Sequence, residues 1–129
     1  GPLAGLLAAL RHAERLGPIF GHVLIAAADT PFLPQDLVRR MWAGLQTTGA
    51  EVAIAASGRR LHPVVALVPV RLVDRLESDL RDGRIARVAT WFEQFAVAEV
   101  IFHGDPDPFF NINHPDDLVE AERLIAGTR

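Results

Sequence analysis

The stretch HVLIAAADTP, residues 22–31, decides the fold. Its apolar part, residues 22–28, ends at Asp29 and is followed by the turn signal Thr30-Pro31, which is typical of a buried strand in a parallel sheet. Open α/β sheets bind their ligands just beyond the carboxyl ends of their strands, so Asp29 lies where a ligand is expected. A carboxylate there suits a hard cation such as Mg²⁺ beside a phosphate, although an aspartate that caps a turn before proline fits the position equally well.

Composition limits the class of protein. The chain has 129 residues, of which 50% are hydrophobic and 22% charged, and this profile predicts one globular domain. The lack of cysteine excludes disulfides, thiolate zinc sites and a cysteine nucleophile, and it favours a reducing, cytoplasmic location. A net charge of −3 disfavours nucleic acid as a partner. Since nucleic acid is disfavoured, we expect small-molecule ligands. No apolar stretch approaches the roughly 20 residues of a membrane span, so we expect neither a membrane span nor a targeting segment.

All 13 basic side chains of the chain are arginine. Without lysine, these residues cannot form a Schiff base, and they contain neither a P-loop lysine nor the lysine that a phosphoacceptor receiver domain needs. P-loop proteins, and receiver domains, which also have an aspartate at a strand end, are therefore disfavoured.

Alternating patterns along the chain predict a layered α/β fold with a mostly parallel sheet flanked by helices. The basic turn at residues 57–60 predicts a strand pair around it. The predicted strands are residues 22–28, 51–56, 62–68 and 97–102. The predicted helices are residues 3–16, a segment opened by residues 34–36, residues 68–82, residues 85–95 and a closing segment that starts at residues 114–117.

Four motifs, in this order, connect the chain to a known family. They are GPLAG at residues 1–5, ADTPF at residues 28–32, LHPVVAL at residues 61–67 and FNINHPDDL at residues 110–118. Together with a helix at residues 84–92, they resemble the molybdenum cofactor guanylyltransferase family, and the resemblance covers nearly the whole chain.

The resemblance implies a nucleotidyltransferase-type fold and the transfer of GMP from GTP to molybdenum-bearing molybdopterin, with release of pyrophosphate. It implies Asp29 as the catalytic residue and ligand of Mg²⁺. It also implies that Gly5, Asp29, His62, Asn111 and Asn113 bind the nucleotide or the pterin. GTP and molybdopterin are then the substrates, and molybdoenzymes and a GTP-binding accessory protein are candidate partners.

Each of these residues has a simpler structural interpretation as well. The amides near Gly5, at the start of a helix, suit an anion, but a Gly-Pro start is also common in flexible ends. Asn111 and Asn113 alternate, so on an extended segment their amides point the same way, although Asn113 also suits a helix cap. His62 could hold a pterin phosphate or serve as a structural histidine.

The chain departs from the family pattern at its start, where the family has a strand and a glycine-rich loop of the type Leu-Ala-Gly-Gly. That loop wraps nucleotide phosphates with backbone amides. We therefore expect residues 1–129 to be a single, N-terminally truncated nucleotidyltransferase-like domain with poor activity in isolation. Two alternatives stay open: a molybdopterin cytidylyltransferase, which would share the strand-end aspartate, and a non-catalytic remnant that binds molybdopterin or a partner.

Overall fold

The computed structural model describes residues 1–27, 32–109 and the backbone of 117–122. The helices are α1 (Pro2–Leu16), α2 (Leu37–Thr48), α3 (Val73–Arg81) and α4 (Val88–Phe92), with a 3-10 turn at Val70–Leu72 before α3. The strands are β1 (His22–Ala27), β2 (Val52–Ser57), β3 (Arg60–Pro69), β4 (Val97–Ile101) and β5 (Asp117–Glu122). The order of helices and strands agrees with the sequence prediction as far as β4.

The five strands form one sheet in the order β4-β2-β3-β1-β5. Only β2 and β4 pair in parallel, whereas β3 pairs antiparallel with both β1 and β2, and β5 pairs antiparallel with β1. The layered α/β fold is confirmed, but the expectation of a mostly parallel sheet is wrong. The physical reason is the β2–β3 hairpin, because a short turn joins only antiparallel strands and here it inserts β3 between β1 and β2. The strands β1, β2 and β4 nevertheless all run in one direction.

The β2–β3 hairpin is the strand pair that the basic turn predicts. Its two-residue turn pairs Ser57 with Arg60, and Gly58 takes the positive φ of 58° that such tight turns favour. The pairing then shifts: Ala55 lies opposite His62, but the preceding residue of β2 pairs with Ala66. Three residues of β3 bulge at this point, and one of them is a proline, which has no N–H for the ladder.

Side chains of the sheet alternate between two buried layers. Val23 and Ile25 of β1 face a cluster formed with α1, α3 and α4, whereas Leu24 faces a second cluster with α2. Because successive strand residues point to opposite faces, a strand covered on both faces reads as a continuous apolar run. This explains why residues 23–26, within the apolar run 22–28 that predicts the fold, are all apolar.

The helices present the apolar faces that their spacing predicts. The buried residues of α1 are Leu3, Leu6, Leu10 and Ala13, and those of α2 are Leu37, Met41 and Leu45. Gly49 ends α2 in the left-handed conformation, with φ of 70°, and its N–H donates to the carbonyl of Leu45. No helix within the described residues is long and apolar enough to cross a membrane.

Two predicted helices differ from the structure. The helix expected at residues 85–95 is only the five-residue α4, because the backbone of Arg87 is still extended and the helix begins at Val88. The closing helix expected from residues 114–117 is replaced at residues 117–122 by β5, which pairs along the whole length of β1. A buried strand such as β1 needs partners for its edge N–H and C=O groups, and this requirement outweighs the local helix signal. Residues 114–116 lie outside the described residues.

Gly44 marks a close approach of α2 to β4. A Cβ at this position would lie 2.7 Å from Cγ2 of Val100, which is too short for two carbon atoms. We expect Gly44→Ala to destabilise the protein by about 1 kcal/mol, because overpacking costs about 1–3 kcal/mol and exceeds the gain of about 1 kcal/mol in helix propensity. Urea unfolding measures this change.

A double-mutant cycle separates the two effects. In a Val100→Ala background the opposing methyl group is absent, so Gly44→Ala should raise stability relative to Val100→Ala alone. A similar loss in both backgrounds would contradict the proposed contact.

Candidate functional site

The candidate site lies at the edge of the sheet where three strands end. Since β1, β2 and β4 run in one direction, their carboxyl ends meet at the same edge, where α/β sheets bind ligands. Ser57 ends β2, and a loop at residues 102–109 follows β4 and is joined to β2 by a hydrogen bond of 2.8 Å from Phe102 N to the carbonyl of Ala56. Asp29 follows β1 by two residues in the sequence and lies outside the described residues.

Three polar side chains form a hydrogen-bonded chain at this edge, which we name the Ser57–His62–Asp107 cluster. Ser57 Oγ lies 2.7 Å from His62 Nε2 and 2.9 Å from Asp107 Oδ2. The other carboxylate oxygen, Asp107 Oδ1, accepts a hydrogen bond of 2.8 Å from the backbone N–H of Phe109. The hairpin register explains the first contact, because it puts His62 and Ser57 diagonally across two strands on one face.

The charges of the cluster are set by these contacts. The backbone N–H of Phe109 is the main cause that lowers the pKa of Asp107 below its ordinary value; the Ser57 hydroxyl and the charges of His62 and Arg60 act in the same direction, and burial opposes them. Burial lowers the pKa of His62, the Asp107 charge raises it and the Arg60 charge lowers it. At neutral pH the cluster therefore holds a carboxylate and a neutral imidazole.

Proton positions in the cluster follow from this charge state. A carboxylate only accepts hydrogen bonds, so the hydroxyl of Ser57 donates its single proton to Asp107. Ser57 Oγ then acts as acceptor toward His62, so Nε2 of the imidazole carries the hydrogen. Serine stands between acid and histidine, whereas a hydrolase triad has histidine between acid and serine. The cluster cannot activate Ser57 as a nucleophile, and it instead orients His62.

Aromatic contacts hold the loop at residues 102–109 against the sheet. The His62 ring lies 4.9 Å from the Phe109 ring, and Phe109 meets Phe102 edge-on at 5.5 Å. The guanidinium of Arg40 lies 4.2 Å from the centre of the Phe102 ring and donates a hydrogen bond of 2.6 Å to the carbonyl of Ile101. The helix α2, strand β4 and the loop are thereby joined beside the cluster.

The site residues expected from the sequence have different outcomes. Asp29, Asn111 and Asn113 lie outside the described residues, so their roles stay predictions. His62 is brought into the cluster, with only 9% of its surface exposed. Gly5 lies within the first turns of α1, and its N–H already donates to the carbonyl of Gly1 at 3.2 Å, so this amide is occupied by the helix.

Sequence reasoning missed two members of the cluster. Ser57 belongs to the predicted turn at residues 57–60, Asp107 lies between two prolines outside every predicted strand and helix, and neither residue stands in a recognised motif. A usable signal for Ser57 was its separation of five residues from His62 across a predicted hairpin. Nothing in the sequence indicates that Asp107, fifty residues away, reaches the same hydroxyl.

Metal binding by the described part of the chain is limited. Within residues 1–27 and 32–109, no group of three or more acidic or histidine side chains could hold a metal ion. Both carboxylate oxygens of Asp107 already accept hydrogen bonds.

A cleft of about 620 Å³ lies at the opposite edge of the sheet, where β1 and β2 begin. His22 and Trp42 line this cleft, and their rings meet edge-on at 5.1 Å. Burial, followed by the charge of Arg71, lowers the pKa of His22 to about 4. The imidazole is therefore neutral in the folded protein at neutral pH and packs as an apolar ring.

Comparisons with known proteins agree on one family. Residues 1–99 match the family described as the MobA-like NTP transferase domain. The molybdenum cofactor guanylyltransferases of Bradyrhizobium sp. (strain ORS 278) and Nitrobacter hamburgensis are each 44% identical to the chain over 127 residues. These matches cover 98% of the chain and 60% and 61% of the two relatives. The chain thus spans about three fifths of the length of the curated relatives it matches.

Two solved structures share the fold. The molybdopterin-guanine dinucleotide biosynthesis protein A from Archaeoglobus fulgidus is 28% identical with a TM-score of 0.65, over 88% of this chain and 57% of that one. A putative protein from Aquifex aeolicus VF5 is 21% identical with a TM-score of 0.67, over 86% of this chain and 55% of that one; it supports the fold alone.

The lowered pKa of His22 predicts a loss of stability in acid. Protonation favours the unfolded chain, whose histidine titrates near 6.5, so the contribution is complete above this pH and is lost as the pH falls toward about 4. In His22→Gln the free energy of unfolding should fall less steeply over this range, as measured by urea unfolding at several pH values.

The matched control is His12→Gln, because His12 is exposed on α1. This variant should keep the pH dependence of the wild type. An identical pH dependence in His22→Gln and the wild type would contradict the role assigned to His22.

Proposed function

Since the chain belongs to the MobA-like NTP transferase family, we propose that it takes part in the transfer of GMP from GTP to molybdopterin bearing molybdenum. The observation that carries the proposal is the 44% identity to curated guanylyltransferases over 98% of the chain. The proposed reaction forms a bond between a phosphate oxygen of molybdopterin and the α-phosphorus of GTP. The bond from that phosphorus to the β-phosphate oxygen breaks, and pyrophosphate leaves.

The principal demand of this reaction is electrostatic, because two negatively charged phosphates must approach each other. Positioning and charge neutralisation supply most of the catalysis in such transfers. The carboxyl edge of the sheet suits this task, since the ends of β1, β2 and β4 converge there. Asp29 comes directly beyond β1 in the sequence, so its carboxylate is proposed to serve at this edge.

Mg²⁺ fits the donor set of the proposed site. Asp29 offers hard carboxylate oxygens, and Mg²⁺ typically combines one or two carboxylates with the phosphates of its substrate. When bound, the ion would neutralise charge on the nucleotide phosphates.

The remaining residues are proposed to bind the substrates without adding charge. The amides of Asn111 and Asn113 supply donors and acceptors that neither repel phosphate nor compete with the metal. The buried His62, beside the loop that leads to Asn111, is proposed to contact the pterin. We propose that the reaction takes place in the cytoplasm, since the chain has no cysteine and no apolar stretch as long as a membrane span.

We expect Asp29→Asn to lower GMP transfer at least about 100-fold, because loss of a ligand at a developing charge costs several kcal/mol. The assay measures incorporation of labelled GMP into molybdopterin by the polypeptide produced from its native gene, with GTP and then CTP as donor. Asp36→Asn is the control, because the Asp36 side chain does not cap its helix. Full activity of Asp29→Asn would contradict the proposal, and preference for CTP would assign the cytidylyl reaction instead.

A further inference from the structure

The Ser57–His62–Asp107 cluster leaves one atom of His62 unused. Nε2 donates to Ser57, so in the neutral ring Nδ1 carries a lone pair and acts as an acceptor. Within residues 1–27 and 32–109, no hydrogen bond to Nδ1 is formed. His62 has only 9% of its surface exposed, and polar groups in such surroundings are generally hydrogen-bonded.

We propose that Asp107 is a positioning residue which, through Ser57, fixes His62 as the Nε2–H tautomer, so that Nδ1 accepts a hydrogen bond from an N–H or O–H donor of the substrate. This inference rests on the proposed function, under which the substrate beside His62 is a pterin. It assigns His62 to the pterin ring, whose N–H and amino groups are donors, and not to the pterin phosphate.

The charges around His62 support this choice of ligand. A phosphate offers acceptor oxygens and negative charge, but neutral His62 presents an acceptor and Asp107 places a carboxylate one hydroxyl away. The facing charged groups are Asp107 and Arg60, whose effects on His62 oppose each other. A neutral donor is therefore the better partner for Nδ1 than an anion.

Asp107→Asn is a sharp test because it reverses the hydrogen-bonded chain. The amide oxygen still accepts from Phe109 N–H, but the amide nitrogen now donates to Ser57 Oγ. The hydroxyl of Ser57 must then donate to Nε2, which moves the ring hydrogen to Nδ1. Heteronuclear NMR of the ring nitrogens reports the tautomer directly, and the chain has only five histidines.

The expected result is the Nε2–H tautomer of His62 in the wild type and the Nδ1–H tautomer in Asp107→Asn. The matched control, Asp105→Asn, changes an exposed aspartate of the same loop and should leave the tautomer unchanged. Circular dichroism and thermal unfolding verify that each variant folds. An Nδ1–H tautomer in the wild type, or no change in Asp107→Asn, would overturn the proposal.

Ligand titration tests the second half of the inference with two probes, hydroxymethylpterin, which has no phosphate, and inorganic phosphate. Hydroxymethylpterin should perturb Nδ1 of His62 and bind Asp107→Asn about 10–100-fold more weakly, whereas inorganic phosphate should leave His62 unperturbed. Perturbation of His62 by phosphate, or by neither probe, would overturn this assignment. The GMP-transfer assay fails or succeeds independently, so loss of the proposed function is distinguishable from loss of this inference.

Discussion

The pairing of β2 with β3 is the constraint on which the rest of the structure depends. A two-residue turn pairs Ser57 with Arg60, and this pairing forces β3 to run against β2. Because β3 also pairs with β1, it lies between β1 and β2, which run in the same direction. The carboxyl ends of β1 and β2 therefore lie at the same edge of the sheet. The same register sets His62 beside Ser57, so one turn determines both the sheet topology and the chemistry at its carboxyl edge.

The loop after β4 completes this edge by a different kind of contact. Its backbone pairs with β2 through one hydrogen bond, and its aromatic rings pack on His62 and under Arg40. Asp107 reaches the end of β2 from this loop, so the hydrogen-bonded cluster also fastens the loop to the hairpin. A change that detaches the loop from the hairpin would therefore also disrupt the cluster.

Sequence reasoning predicts the structure correctly where a short-range pattern determines it. Three features with a short-range cause are predicted correctly. They are β1, from its run of apolar residues, α1, from the helical spacing of Leu6 and Leu10, and the turn at Gly58. The parallel sheet was predicted wrongly because strand direction depends on where β3 inserts, which is a long-range choice. Asp107 was not predicted as a site residue for the same reason, since its partner Ser57 is fifty residues away in the sequence.

The division of the core into two layers has an optical consequence. Trp91 is fully buried in the layer that contains α1, α3 and α4, whereas Trp42 is half-buried in the layer that contains α2. The chain has two tryptophans and no tyrosine, so its ultraviolet emission comes from one indole on each side of the sheet. Replacing either indole by phenylalanine would leave a single fluorophore that follows the assembly of one layer, and the time courses of the two layers can be compared directly.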